Sequence, residues 1–207
     1  MTTSTRVRPL RADVRDQILA AAGEEFVERG YAGTSVAQVA ARAGFTKGAV
    51  YSNFGGKPEL FVAAVQEYFA ETVVGAVAGT LGAAGSTPDA TPGARTLAMA
   101  HALADSVLRG ERWPVLLAEF RTVATQQPEL ATVYAELRLA QRAQLVDALR
   151  QAGEQVPLRP GLDLEVAAAL LLTCVQGLSV EGAAAPEAMP RPLAEALFAH
   201  VLDGILA

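Results

Sequence analysis

The sequence predicts an all-α protein of about nine helices, and three observations support this prediction. Alanine, the strongest helix former, supplies much of the apolar content, which is 51% of the 207 residues. Aromatic residues make up only 6%, and no segment has the Val/Ile/Thr pattern of a strand ladder. Apolar residues instead recur at helical spacing between breaks that carry Gly or Pro. A disordered chain is excluded by the same apolar content.

The N-terminal region begins with a polar segment followed by an amphipathic helix. We predict that residues 1–12 form a flexible basic arm, because they are polar and carry arginines. From Asp13 onward, apolar residues recur at every fourth position, which predicts a helix with one buried face. Gly30 ends this helix, since glycine is favoured just beyond a helix C-terminus.

Two short helices follow, separated by a three-residue turn that contains glycine. Ser35 and Gln38 stand at capping-box spacing at the start of the first helix, and Gly44 ends it. Thr46 can cap the second helix, which runs to Asn53 before two glycines break it. A short helix, a tight turn and a second short helix form a helix-turn-helix, the unit that places its second helix in the major groove of DNA.

The rest of the chain is predicted to be an antiparallel helical bundle, because its breaks are short. A longer helix begins at Lys57, with proline tolerated in its first turn. The further helical segments are 93–109, 113–126, 128–152, 162–184 and 191–206. Three parts are therefore predicted, namely the arm, a helix-turn-helix domain over 13–56 and a helical domain over 57–207.

Charge is distributed unevenly along the chain. The formal net charge is −5, yet residues 1–57 hold eight basic and five acidic side chains, so they carry +3 and the remainder carries −8. Both lysines, Lys47 and Lys57, lie in this first segment. The scarcity of lysine is also explained by genome composition, but its location favours a basic interaction module on an acidic body.

Several classes of protein are disfavoured. A single cysteine, Cys174, allows neither an intramolecular disulfide nor a thiolate zinc cluster, and suits a reducing cytosol. The most apolar stretch, 166–175, is too short to span a bilayer, and no signal peptide is evident. His101 and His200 are far apart, and no catalytic motif occurs in residues 58–207. We therefore expect no enzyme, metal site, cofactor or membrane association, and a cytoplasmic location.

Six short motifs within about residues 13–62 stand in a recognisable order and register. They are Gly30-Tyr31, Thr34-Ser35, Val39-Ala40, Ala43-Gly44-Phe45-Thr46, Val50-Tyr51-Ser52-Asn53-Phe54 and Lys57-Pro58-Glu59-Leu60. With these motifs the chain resembles the TetR family of bacterial transcriptional regulators. The resemblance implies an all-helical homodimer in which three N-terminal helices bind DNA. It also implies that 57–207 is a ligand-binding and dimerisation domain, and that the protein is a repressor released by its ligand, as most members are.

The resemblance implies specific roles within the helix-turn-helix. Bases are read at the start of its second helix, phosphates are contacted near the end of that helix, and the next helix touches the DNA backbone. The residues at these positions are Thr46, Lys47 and Gly48 for bases, Tyr51, Ser52 and Asn53 for phosphates, and Lys57 for the backbone, while Thr34 or Ser35 caps the preceding helix and can face a phosphate.

Alternatives stay open at several of these positions. Tyr51 could be a core aromatic, and Lys47 could be an ordinary solvated lysine. Asn53 stands where the family usually has histidine, so this phosphate donor is neutral at all pH values. The arginines of the arm could belong to a disordered tail or could enter the minor groove.

The resemblance places an effector pocket among the helices of residues 93–184. Apolar walls with a few polar groups suit a hydrophobic small molecule. The candidate lining residues are Met99, Trp113, Leu117, Phe120, Arg121, Tyr134, Arg138 and Gln176.

The last two helical segments are the predicted dimer interface, because both carry apolar residues at helical spacing. Burial within one chain is the alternative explanation of this pattern. The candidate interface residues are Leu170, Cys174, Leu178, Leu197, Val201 and Ile205.

These observations predict a dimeric, sequence-specific transcriptional regulator that binds a palindromic duplex operator, since one recognition helix per chain reads one half-site. The favoured form is a repressor released by a small hydrophobic effector. An activator and a ligand-independent regulator are alternatives, as is an all-helical protein-interaction module.

Overall fold

The computed structural model describes residues 11–79, 91–109, 112–154 and 156–207, and in these ranges it contains nine α-helices and no β-strand. The predicted all-α class is therefore confirmed. The predicted arm falls almost wholly outside the described residues. The helices are α1 (Arg11–Gly33), α2 (Val36–Ala43), α3 (Lys47–Phe54), α4 (Lys57–Phe69, followed by the π-helical segment Ala70–Val74), α5 (Pro92–Leu108), α6 (Trp113–Ala124), α7 (Pro128–Gly153), α8 (Leu164–Ala184) and α9 (Arg191–Asp203).

The chain divides into two compact units, Met1–Ala64 and Val65–Ala207. The boundary predicted from the sequence lies earlier, after residue 56. The first turns of α4 belong to the first unit because Leu60 and Phe61 are fully buried. The Phe61 ring packs edge-on against Phe26, with 5.0 Å between the ring centroids.

The helix ends of the first unit follow the local signals in the sequence. Gly30, at φ 75°, interrupts α1 where the sequence predicted its end. The Ser35 hydroxyl accepts the Gln38 backbone N–H at 3.3 Å, and the Gln38 side chain accepts the Ser35 N–H at 2.9 Å. This is the predicted capping box. Gly44, at φ 73°, ends α2 in the left-handed region that favours glycine.

The second unit has an apolar core to which α4, α5, α7, α8 and α9 contribute. Fully buried side chains from α5, α7, α8 and α9 meet there, among them Leu103, Leu149, Leu171 and Phe198. α9 packs chiefly on α5, and α7 packs chiefly on α8. The second unit is therefore helical as predicted, and α8 and α9 carry large apolar side chains that the described part of the chain leaves exposed.

Ion pairs join α5 to α9 on the surface of the second unit. His101 Nδ1 lies 3.0 Å from Glu195 Oε1, and Arg191 Nη2 lies 2.8 Å from Asp105 Oδ1. His101 and Asp105, four residues apart on α5, thus each contact a charged residue of α9.

Two helical stretches, Lys57–Gly79 and Leu164–Ala184, are long and apolar enough to cross a membrane by length and composition alone. The second of these helices contains residues 166–175, which the sequence predicted to be too short to span a bilayer. Core helices of soluble proteins pass the same test, so two such helices are weak evidence for a membrane segment. Side chains of both contribute to the core of the second unit, including Phe69 and Leu171.

Candidate functional site

The outer face of α3 is the candidate nucleic-acid surface. Val50 and Phe54 point inward and are buried, which fixes the rotation of the helix. The opposite face is exposed and consists of Thr46, Lys47, Gly48, Tyr51 and Ser52. Tyr51 is 53% exposed, so it is not a core aromatic. The structure thus brings five of the predicted DNA-binding residues onto one accessible surface.

The polar side chains of this surface differ in how they are engaged. Thr46 accepts the Ala49 backbone N–H at 3.2 Å and caps α3. Ser52 Oγ and Asn53 Nδ2 both donate to the Ala49 carbonyl oxygen, at 3.0 and 2.7 Å. These two donors are therefore turned back onto their own helix, and a phosphate has to compete with that carbonyl for them.

Thr34 does not belong to the candidate DNA-binding surface, because its side chain is buried and hydrogen-bonded to the backbone. Its side chain is buried, and its hydroxyl donates to the carbonyl oxygens of Gly30 at 2.9 Å and Glu25 at 3.0 Å. The hydroxyl thereby satisfies backbone groups where Gly30 interrupts α1, and it is not available to a phosphate. Ser35, by contrast, is exposed and caps α2.

Lys57 is partly withdrawn from solvent. Its ammonium lies 4.4 Å from the centroid of the Tyr31 ring and donates to the Ala32 carbonyl oxygen at 3.4 Å. Burial lowers the pKa of Lys57. The ring contact is a cation–π interaction, so Lys57 stabilises the end of α1 as well as offering a positive charge.

Arg42 forms ion pairs with three of the acidic side chains of α1. Its guanidinium lies 3.0 Å from Glu24, 2.8 Å from Glu25 and 2.6 Å from Glu28. Hydrogen bonding to Arg42 lowers the pKa of Glu28. Lys47, in contrast, has no carboxylate within ion-pair distance among the described residues. Three carboxylates of α1 are thus neutralised at Arg42, and Lys47 on the α3 surface is not paired with any described carboxylate.

The second unit contains a mostly apolar cavity. Trp113, Leu117, Arg138 and Gln176 line it, as the sequence predicted. The space between its wall atoms is about 450 Å³, including the part open to solvent. The remaining lining residues were not anticipated and come from several helices, namely Val65, Tyr68, Phe69, Val73, Ser106, Val107, Pro114, Gln141, Leu172, Val175 and Ser179.

Four predicted ligand residues do not line this cavity. Met99 and Phe120 are buried in packing contacts. Arg121 is exposed and lines a shallow outer pocket that also includes Gln176. Tyr134 faces an open cleft formed by α7 and α8. Helical periodicity placed all four on plausible faces, but it did not show which neighbouring helix covers each face.

Two polar side chains dominate the chemistry of the cavity. Arg138 Nη1 donates to Gln141 Oε1 at 3.0 Å, and Gln141 is buried. Burial lowers the pKa of Arg138. Gln176 Nε2 is buried and has no hydrogen-bond partner in the described structure. The cavity therefore presents a guanidinium and an unused amide donor beside apolar walls.

The predicted dimer residues divide into exposed and buried groups. Leu170 and Leu197 are 49% and 39% exposed, and Cys174 and Val201 are partly buried. Val166 and Leu193 are also exposed, so α8 and α9 both carry apolar side chains on their outer faces.

Leu178 and Ile205 are corrections to the predicted interface. Both are buried in the core of their own unit. α9 ends at Asp203, and the Ile205 carbonyl oxygen then accepts the Arg159 N–H at 2.9 Å. This pairing turns Ile205 inward, whereas the sequence predicted that the helix continued to residue 206.

Comparisons with known proteins agree with this geometry. The family profile described as "Bacterial regulatory proteins, tetR family" matches residues 18–64, and the profile "BetI-type transcriptional repressor, C-terminal" matches residues 92–207. The HTH-type transcriptional activator FasR of Mycolicibacterium smegmatis is 40% identical over 65 residues, which are 31% of this chain. The match spans only 30% of the length of FasR.

Solved structures share the fold over nearly the whole chain. A TetR-family transcriptional regulator from Rhodococcus sp. has a TM-score of 0.66 at 22% identity and covers 95% of this chain and 100% of its own. Bacillus subtilis FadR, solved in complex with stearoyl-CoA, has a TM-score of 0.60 at 18% identity and covers 92% and 98%. At these identities the likeness concerns the fold.

Gly48 offers a test of the α3 surface that separates folding from binding. A Cβ at Gly48 meets only Thr46 Oγ1, at 3.7 Å, so G48A fits the free protein. The substitution should stabilise it by about 0.5 kcal/mol, because alanine loses less conformational freedom on folding. It should weaken binding to duplex DNA by about 1 kcal/mol or more, because the added methyl group stands at a position that the sequence predicts to face the bases. Urea unfolding and fluorescence anisotropy measure the two effects.

Gly93 provides the matched control. It is also the second residue of a helix, it is exposed, and a Cβ there meets nothing within 4 Å. G93A should give a similar stabilisation with unchanged DNA binding. Wild-type DNA affinity in G48A would show that the start of α3 does not approach the bases.

Proposed function

Since this chain belongs to the TetR family of bacterial regulatory proteins, whose members are DNA-binding regulators and not enzymes, we propose that it is a dimeric, cytoplasmic repressor. In this proposal each chain reads one half of a palindromic operator with α3. A small hydrophobic effector enters the cavity of the second unit and releases the protein from DNA. The exposed α3 face, on which no described carboxylate lies within ion-pair distance of Lys47, is the observation that carries the DNA-binding part.

The chemistry of the α3 face suits contact with both bases and phosphates. Thr46 and Gly48 are small and permit close approach at the N-terminal end of α3, which carries a partial positive charge. Lys47 can donate to a guanine edge or to a phosphate. Tyr51, one turn later, presents its hydroxyl to the backbone. Four exposed positions thus cover the two kinds of contact that a recognition helix makes.

Dimerisation is supported by the uncovered faces of α8 and α9. Leu170 on α8 and Leu197 on α9 leave large apolar side chains exposed, and Val166 and Leu193 extend the same faces. Pairing with a second copy removes this apolar surface from water, which is favourable by about 25 cal/mol for each square ångström buried. Two helices from each chain form an interface in which both copies use the same surface.

An effector role is supported by the cavity. Trp113, Leu117 and Val175 give it apolar walls, and a few polar groups can orient a ligand within it. FadR, which shares the fold, was solved in complex with stearoyl-CoA. The fold can therefore accommodate a ligand with a long apolar portion.

The sign of regulation is assigned from the larger of two matches. The repressor profile covers residues 92–207, whereas the similarity to the activator FasR covers 31% of this chain. The alternative class, a protein-interaction module without DNA binding, leaves the uncompensated Lys47 and the exposed Tyr51 without a role. The proposed sign of regulation is therefore repression.

DNA binding is tested on a duplex selected from a random pool with the full-length protein. K47A should weaken binding by about 1–3 kcal/mol because a base or phosphate contact is lost. The salt dependence should become shallower by about one unit if that contact is to a phosphate. Y51F removes only the hydroxyl and should have a smaller effect than Y51A. Gel shift over a series of salt concentrations measures these changes.

Arg150 supplies the charge-matched control for K47A, since it lies exposed on α7 and pairs with Asp147. R150A should leave the isotherm unchanged. Wild-type affinity in both K47A and Y51A would contradict the assignment of the α3 face. Equal loss in R150A would show that only the overall charge matters.

Repression is tested by cell-free transcription from a promoter that overlaps the selected site. Added protein should lower the amount of transcript, because a bound dimer blocks the promoter. K47A should lower it less at the same concentration. An increase in transcript with the wild-type protein would instead identify an activator.

The dimer is tested by light scattering at micromolar concentration. The wild-type protein should have twice the mass of the 21.6 kDa chain. L170E and L197E place charges on the exposed apolar faces of α8 and α9, so the double variant should be monomeric. L97E is the matched control, because Leu97 on α5 is 52% exposed in the same unit. A wild-type monomer, or dissociation caused equally by L97E, would contradict the interface.

A further inference from the structure

Arg138 is a partly buried cation for which the described residues supply no carboxylate partner. Its guanidinium lines the apolar cavity, and no Asp or Glu of the described chain lies within ion-pair distance. Arg150 and Arg191, which lie on the surface, both have carboxylate partners. Buried charges are normally paired, because removal from water is costly without a compensating partner. Because Arg138 is partly withdrawn from water without a counter-charge from the described residues, it is a candidate for binding a negatively charged group.

The groups around Arg138 increase this imbalance. Gln141 accepts one of its N–H groups at 3.0 Å, which fixes the direction of the guanidinium but supplies no negative charge. Burial lowers the pKa of Arg138, and the nearby positive charge of Arg121 lowers it further, whereas Tyr134 opposes this shift. Glu181 lines the outer pocket beside Arg121 and Gln176 but forms no ion pair with either arginine. The local field is therefore positive.

Gln176 adds an independent observation at the same place. Its Nε2 is buried without a hydrogen-bond partner, and its side chain lines both the cavity and the outer pocket of Arg121. A buried amide donor that is left unsatisfied costs about 1–3 kcal/mol. A guanidinium and an unused amide donor that line the same cavity are suited to an acceptor-only group, and a carboxylate offers two such oxygens.

We propose that the effector is an amphipathic anion whose carboxylate, or chemically equivalent acidic group, binds Arg138 and Gln176 while its apolar body packs against Tyr68, Trp113 and Leu172. This inference rests on the proposed effector role of the cavity and specifies the ligand class. A neutral hydrophobic molecule of the same size leaves the guanidinium unpaired and removes it further from water. An anion supplies the missing charge and accepts from both donors.

Trp113 provides a direct readout, because it is the single tryptophan of the chain and lines the cavity. Its fluorescence is titrated in the full-length protein with two matched pairs of probes at pH 8. The pairs are decanoate with 1-decanol, and cyclohexanecarboxylate with cyclohexylmethanol. The acid of at least one pair should bind about tenfold or more tightly than its alcohol, as expected for charge-assisted hydrogen bonds in a desolvated site.

Two substitutions assign the preference to the arginine. R138Q keeps a hydrogen-bond donor but removes the charge, so the acid should lose its advantage over the alcohol. R138K keeps the charge and should retain part of it. R150Q, on the same helix but outside the cavity, should behave as the wild type. Circular dichroism establishes that each variant is folded, and the wild-type comparison of acid with alcohol stands without any variant.

The outcomes distinguish this inference from the proposed function on which it rests. If the alcohols bind as tightly as the acids and also weaken DNA binding, the effector cavity stands and the anionic ligand is rejected. If the acids are preferred equally by the wild type and R138Q, the role of Arg138 is rejected. If none of the four probes changes the emission of Trp113 or is detected by calorimetry, both the effector cavity and the anionic ligand are rejected.

Discussion

The candidate DNA-binding surface on α3 depends on the burial of a few apolar side chains behind it. α2 and α3 are eight residues each, and helices of that length are not stable alone in water. Val39 and Val50 have no exposed surface, and together with Phe26 they anchor both helices in the core of the first unit. Capping fixes where each helix begins, and burial fixes its rotation. The exposed residues of α3 are thereby presented as one preorganised set, which reduces the entropy lost on binding DNA.

A net charge of −5 is compatible with DNA binding because the charges are arranged locally. Glu25 is buried between Arg29 and Arg42, and both arginines lie 2.8 Å from its carboxylate. Glu28 is also held by Arg42. At physiological ionic strength, charges separated by more than about 8 Å through solvent are largely screened. The electrostatic interaction with a phosphate at α3 is therefore set mainly by groups near α3.

The sequence predicted those features that depend on neighbouring residues, and it failed where distant contacts decide. The caps at Ser35, Gly44 and Thr46 are local and were predicted. The sequence predicted that Thr34 can face a DNA phosphate. Its hydroxyl instead donates to two carbonyl groups of α1, and the sequence does not reveal that contact. Ile205 lies at helical spacing from exposed residues, yet backbone pairing with Arg159 turns it inward. Periodicity identifies residues that share a face, whereas tertiary packing determines what covers that face.

The unpaired arginine of the cavity also bears on how a regulator distinguishes its effector. A pocket that relies on apolar contact separates ligands by only about 1–3 kcal/mol for each methylene group. A site with buried polar groups rejects analogues that leave those groups unsatisfied much more strongly. Arg138 and Gln176 give this cavity the second property. A ligand can shift DNA binding only by as much as its affinity differs between the free and the DNA-bound protein. An interaction made through a charged side chain of fixed direction, as Gln141 provides, is sensitive to small displacements and can therefore supply much of that difference.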